Sequence, residues 1–137
     1  MLLTNTTEYA LRILAYMVKE PTRIYSAKYL VGELKISDKY LRRIMTDLSK
    51  AGFIRSIQGR DGGYVFNKNL DEIFLKDIIY ATEGMNKHLA CVLGFERCST
   101  TNPCALHETF KDLRREYLKI ITNMNLANID FSTINRH

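Results

Sequence analysis

The stretch "ISDKYLRRIMTDLSKAGFIRSIQGRDGGYVFN", residues 36–67, changes its period partway along, and that change restricts the folds open to the chain. From Asp38 to Lys50 it runs at helical spacing, with Tyr40, Leu41, Ile44, Met45 and Leu48 on one side and Lys39, Arg42, Arg43, Thr46 and Lys50 on the other. Ser37 is placed to cap this helix, because a serine oxygen there accepts a backbone N–H that the first turn leaves unpaired. Gly52 stands where a helix commonly turns left-handed and stops. "FIRSIQ" then reads as a strand on its β-branched and aromatic residues, "GRDGG" as a hairpin tip and "YVFN" as the return strand. Residues 53–67 therefore form a small antiparallel wing.

Two shorter helical patterns come first. Thr6 or Thr7 is placed to cap a helix in which Ala10, Ile13, Leu14, Met17 and Val18 form one apolar stripe, ending before Pro21. A second helix begins at Ser26, buries Leu30, Val31 and Leu34, and breaks at "KIS". The resulting fold class is mainly α with a small β-hairpin, a winged helix-turn-helix over residues 1–67. That shape suits duplex DNA, since an amphipathic helix fits the major groove and a hairpin rests beside the backbone or enters the minor groove. Lys39, Arg42, Arg43 and Thr46 are the groove-facing candidates, Lys50 and Arg55 are placed for phosphates, and Arg60 at the wing tip for the minor groove. Ser37, Tyr40 and Gln58 complete the candidate DNA-binding set. Each cation taken alone is more often a solvated surface charge; the cluster carries the reading.

Charge follows the same division. The formal net charge is +5, with twelve Lys/Arg against six Asp/Glu in residues 1–70 and eight against nine in residues 71–137. The excess points to an anionic partner and sits in the half that holds the winged pattern. No apolar run approaches the roughly 20 residues that cross a bilayer, so no membrane partner is expected. The start "MLLTNTTEYALRIL" lacks the features of a secretory leader, which gives an expectation of a cytoplasmic, reducing setting.

Past the wing, residues 68–84 read as a connecting segment with a helix from about 72 to 83 stopped by Gly84. A cysteine loop at 85–104 follows, and a dimerisation helix and tail occupy 105–137, the helical pattern itself running from about Cys104 to Met124. Leu106, Phe110, Leu113, Tyr117, Ile120 and Met124 recur at steps of 4, 3, 4, 3 and 4, the rhythm of a helix that pairs with another, here in a homodimer.

"CVLGFERCSTTNPCALH", residues 91–107, holds all three cysteines of the chain. In a reducing compartment an odd count argues against a disulfide framework and for metal or redox chemistry. Cys91, Cys98 and Cys104 are separated by six and five residues, with His107 one helical turn beyond the last if the helix starts near Cys104. Structural zinc usually takes closer pairs, whereas wider loops wrap a multi-iron cluster, so an iron-sulfur cluster leads and zinc or free thiols follow. An enzyme is not expected: a small thiol redox enzyme is a remote alternative, for no CxxC pair, nucleotide-binding glycine motif or acid-base pair is present.

"LTNTTEYALRIL", "ISDKYLRRIMTDLSKAGFI", "GRDGGY" and the three-cysteine loop before a long helix together resemble the Rrf2 family of bacterial regulators, over nearly the whole chain. The resemblance implies a dimeric winged-helix transcription factor whose operator affinity depends on a bound iron-sulfur cluster, with redox state, nitric oxide or cluster supply as the signal. It also implies that Cys91, Cys98 and Cys104 are the thiolate ligands. "CALH" puts His107 where IscR-like members place a histidine ligand to a 2Fe-2S cluster, the favoured assignment. NsrR-like members instead use an acidic residue near the start of the first helix, here Glu8, to complete a 4Fe-4S site. The chain departs from the pattern in its six-residue first spacing, in Gln58 where the wing often carries arginine, and in Arg42 where IscR-like members read bases with glutamate. Operator preference is therefore not carried over.

Overall fold

The computed structural model describes residues 3–85, 103 and 105–132. Helix α1 spans Asn5–Val18, α2 Ala27–Leu34 and α3 Asp38–Lys50; strands β1, Ile54–Ile57, and β2, Gly63–Phe66, form the hairpin. A 3-10 turn at Leu70–Glu72 precedes α4, Leu75–Thr82, and α5 spans His107–Asn123.

The local chemistry explains each boundary. Thr4, not Thr6 or Thr7, caps α1: its backbone is extended and its hydroxyl accepts from the Thr7 amide. Thr7 is thereby turned inward and is fully buried. Ser26 caps α2 by accepting from the Tyr29 amide, and Ser37 caps α3 by accepting from the Tyr40 amide. The break between these helices is made by Lys35, whose φ of 54° is left-handed and whose amide bonds back to the Val31 carbonyl. Gly52, at φ 84°, performs the same reversal after α3.

The hairpin pairs Ile54 with Phe66 and Ile57 with Gly63, antiparallel. It is held to the helices at the start of α2, where Tyr25 and Tyr64 exchange two backbone hydrogen bonds of 2.8 Å each. The core gathers Ile13, Leu14 and Met17 of α1, Leu30 of α2, and Leu41, Ile44, Met45 and Leu48 of α3, all fully buried. Each such side chain contributes roughly 1.5–3 kcal/mol relative to exposure. Val18, Val31 and Leu34 are only half-buried, packed on the edge of that core.

The core continues past the wing through Ile73, Ile78 and Leu126. Here the structure corrects the sequence expectation of one helix over 72–83. Phe74 is extended and bridges to Asn125; the Leu75 amide donates to the Met124 carbonyl at 2.9 Å, and the Leu126 amide to the Ile73 carbonyl at 3.0 Å. Ile73–Leu75 thus spend backbone groups on the chain beyond α5, which keeps them out of α4 until Leu75. Gly84, at φ 76°, closes α4 as expected.

The last helix is also shorter than its pattern. It begins at His107, with Leu106 at the cap position, and ends at Asn123; Met124 is extended because its carbonyl pairs with Leu75. Of the predicted stripe, Leu113 is 65% and Ile120 49% exposed, while Leu106, Phe110, Tyr117 and Met124 are half-buried. Ile121, outside that stripe, is the side chain of α5 that is buried in the protein's own fold. The heptad count tracks which residues share a face; it does not reveal which face meets α4.

Candidate nucleic-acid interface

Helix α3 turns its apolar side wholly inward, which leaves the opposite side to solvent. Lys39, Arg42, Arg43, Thr46 and Lys50 are exposed there, and Ser37 is exposed at the cap with its hydroxyl engaged by the Tyr40 amide. Arg42 donates through Nε to Asp38 Oδ2 at 2.8 Å, both side chains being more than half exposed. In that setting the pair adds little stability, but it directs the guanidinium along the helix surface. The hydrogen bond to Asp38, followed by the carboxylate's charge, holds the Arg42 pKa above its ordinary value, with Tyr64 of the hairpin contributing further. Thr46 donates its hydroxyl proton to the Arg42 carbonyl at 2.8 Å, so outward it offers oxygen lone pairs and its methyl group.

Tyr40 differs from these neighbours. It is half-buried, its ring meets Tyr9 edge-on at 5.7 Å between centroids, and its hydroxyl lies 3.0 Å from Thr6 Oγ1. It ties the first turn of α3 to α1. On the hairpin, Arg55, Gln58 and Arg60 are all exposed.

Two features of this surface are not apparent from the sequence. Tyr64 is near enough to Arg42 to join helix and hairpin electrostatically, and Lys28 is exposed in the first turn of α2. Neither stands out in one dimension, since Tyr64 looks like an ordinary strand residue and Lys28 a lone lysine.

Cys91, Cys98 and Cys104 lie outside the described residues. His107 is half-buried as the first residue of α5, not one turn inside it, and Glu8 is half-buried in the first turn of α1. Among the described residues no group of three or more His, Cys, Asp or Glu side chains is placed to hold a metal ion, and no helix is long and apolar enough to cross a membrane.

The fold has known counterparts. CymR, the global cysteine regulator of B. subtilis, superposes with a TM-score of 0.76 at 24% identity, covering 92% of this chain and 93% of that one. A protein of Aquifex aeolicus named as an HTH-type transcriptional regulator is 31% identical over 135 residues, 95% of this chain and 94% of its own. The HTH-type transcriptional regulator NsrR of Geobacillus kaustophilus is 31% identical over 134 residues, covering 94% and 89%. The family model for Rrf2, described as an iron-dependent transcriptional regulator, matches residues 3–130. With a winged helix-turn-helix fold and nearly its full length matched, the chain belongs to the Rrf2 family of DNA-binding transcriptional regulators.

Proposed function

We propose that this regulator binds its operator as a homodimer and that an iron-sulfur cluster on Cys91, Cys98 and Cys104 sets the affinity. The observation that carries the DNA half is the division of α3: Leu41, Ile44, Met45 and Leu48 are fully buried while Lys39, Arg42, Arg43, Thr46 and Lys50 stand exposed. In this reading α3 lies in the major groove, Lys39, Arg42, Arg43 and Thr46 face base edges and nearby phosphates, Lys50 and Arg55 meet the backbone, and Arg60 enters the minor groove. Ser37 and Tyr40 set the pitch of α3 through the cap and the Tyr9 contact, and Gln58 sits beside the wing tip.

The exposed Leu113 and Ile120, seven residues apart on α5, support pairing of two copies through this helix. Replacing both with lysine is expected to leave the circular dichroism spectrum unchanged, convert a dimer to a monomer in sedimentation velocity, and weaken operator binding at least tenfold. Two half-sites about 34 Å apart reward only recognition helices held in a fixed pair.

The donor set fits the cluster: three thiols with one imidazole or carboxylate match the chemistry by which iron-sulfur centres are held. His107 is the favoured fourth ligand, for a 2Fe-2S cluster, and Glu8 the alternative, for a 4Fe-4S cluster. A bound cluster would supply iron that reacts with oxidants or nitric oxide. The chain's part is to hold that group on the segment that follows α4 in sequence and to pass its presence to α3. The fold does not choose among sensing chemistries, being shared with a cysteine regulator, so the donor set is what supports iron. Anaerobic reconstitution is expected to give stoichiometric iron and sulfide with visible absorbance, and Cys98→Ala to abolish all three. His107→Ala alters the spectrum if imidazole is a ligand, and Glu8→Ala alters it if the carboxylate is. Zinc in place of iron, or no metal at all, would overturn the cluster and leave a zinc-bound or free-thiol sensing loop.

A further inference from the structure

The Glu83 carboxylate is at the wrong end of its own helix. It occupies the C-terminal cap position of α4, where the helix macrodipole disfavours negative charge. Its Oε2 atom instead accepts from the N-terminus of a different helix: from the Thr4 amide at 2.9 Å, from the Thr4 hydroxyl at 2.6 Å and from the Thr7 hydroxyl. There the charge is favourable, because α1 presents unpaired amides and the positive end of its dipole. Thr7 is the one fully buried polar residue among those described, and its hydroxyl also lies 2.6 Å from Thr82 Oγ1. With the Thr7 proton given to the carboxylate, the single Thr82 proton is available either to the Thr7 oxygen or to the Ile78 carbonyl, 2.9 Å away.

This knot is reached from both halves of the protein. On one side, α1 carries Thr6 and Tyr9, which hold Tyr40 at the start of α3. On the other, Glu83 is followed by Gly84 and the chain that leads to Cys91. Tyr117 of α5 is close as well: burial, and then the charge of Glu83, keep its phenol above the ordinary range. A chain of touching groups therefore runs from the end of α4 through Glu83, Thr4 and Thr7 to the recognition helix, with a branch to α5.

We infer that Glu83 is a positioning residue that couples the cysteine-bearing segment to the DNA-reading helix by clamping the N-terminus of α1. Carboxylate and helix end attract only while α1 stays docked, so displacing the end of α4 releases α1 and with it the support of Tyr40. The inference rests on the sensing role proposed for the cysteines. The deciding quantity is the ratio of affinities between two states.

The test uses the full chain in two forms, reconstituted anaerobically with iron and sulfide, and stripped by chelator. Each is titrated against one duplex selected by the wild type from a randomised pool. Wild type is expected to differ at least about fivefold between forms, the lower end of typical coupling. Glu83→Gln and, independently, Thr7→Val are expected to bring the ratio below about twofold, while Thr7→Ser, which keeps the hydroxyl, restores it. Thr7→Val retains the carboxylate and so supplies the second variant should Glu83→Gln fold poorly. In the chelator-stripped protein, hydrogen exchange at the amides of the first turn of α1 is expected to quicken in Glu83→Gln. If the variants weaken both forms equally and keep the wild-type ratio, or if that exchange is unchanged, the coupling is overturned and the sensing role stands. If wild type itself shows no difference between forms, both are overturned.

Discussion

Replacing Arg42 and Arg43 together with alanine is expected to lower operator affinity by about 100-fold or more while leaving the fold intact. Both side chains project from the solvent side of α3, and the pair between Arg42 and Asp38 is too exposed to matter for stability. Arginine contacts to DNA are worth roughly 1–3 kcal/mol each, so two on a recognition helix amount to about 2–6 kcal/mol, and about 2.8 kcal/mol already makes two factors of ten. The same variant should show a shallower dependence of affinity on salt, by about one in the log–log slope for each phosphate that the protein no longer neutralises. Fluorescence anisotropy on the selected duplex at several salt concentrations, with circular dichroism as the folding control, measures both. Affinity unchanged within threefold would remove α3 from the interface.

Gly63→Ala is expected to cost about 3 kcal/mol of stability and to lower the melting temperature by roughly 10 °C, with operator binding falling as the hairpin loosens. A methyl group at this position would overlap the Tyr25 carbonyl oxygen and sit 2.7 Å from its carbon and 3.0 Å from the Ser26 Cα. These are backbone atoms and cannot swing aside. Relief requires opening the two Tyr25–Tyr64 hydrogen bonds that fasten the hairpin to the start of α2. Gly32 is the internal control. It lies in α2 with nothing within 4 Å of where a Cβ would stand, so Gly32→Ala should stabilise by about 0.5–1 kcal/mol through helix propensity alone. Thermal melts of the two variants should therefore move in opposite directions; a Gly63→Ala melt within 2 °C of wild type would show that the close approach is not binding the hairpin.

Much of the reading head was legible from residues 26–67. The α3 pattern, its serine cap, the glycine that ends it and the hairpin are local features, and each appears within a residue of its expected position. The cationic face was legible for the same reason: once one side of a helix is apolar, the 3.6-residue period assigns the other. Tyr40 shows where this logic stops. Its spacing places it at the edge of the apolar side, but its partners, Thr6 and Tyr9, are more than thirty residues away and no periodicity names them.

Pairings across long stretches of sequence account for the other differences. Thr4 displaced Thr6 and Thr7 as the cap of α1 because Thr7 was needed against Thr82 and Glu83. The expected start of α4 gave way to a bridge with Asn125, and Met124 left the α5 stripe for the same bridge.

By itself, the sequence determined the kinds of element, their order and the side of α3 that is cationic, since period, capping residues and glycine act within a turn or two of their position. It also determined that the thiols are gathered in one segment. Tertiary structure alone decided that Ile121, outside the heptad stripe, is the buried side chain of α5, and that the end of α4 caps α1. The physical reason is the same in each case. A helix face has no partner, and a carboxylate no donor, until the chain has closed on itself, and which ones meet depends on packing that no local pattern contains.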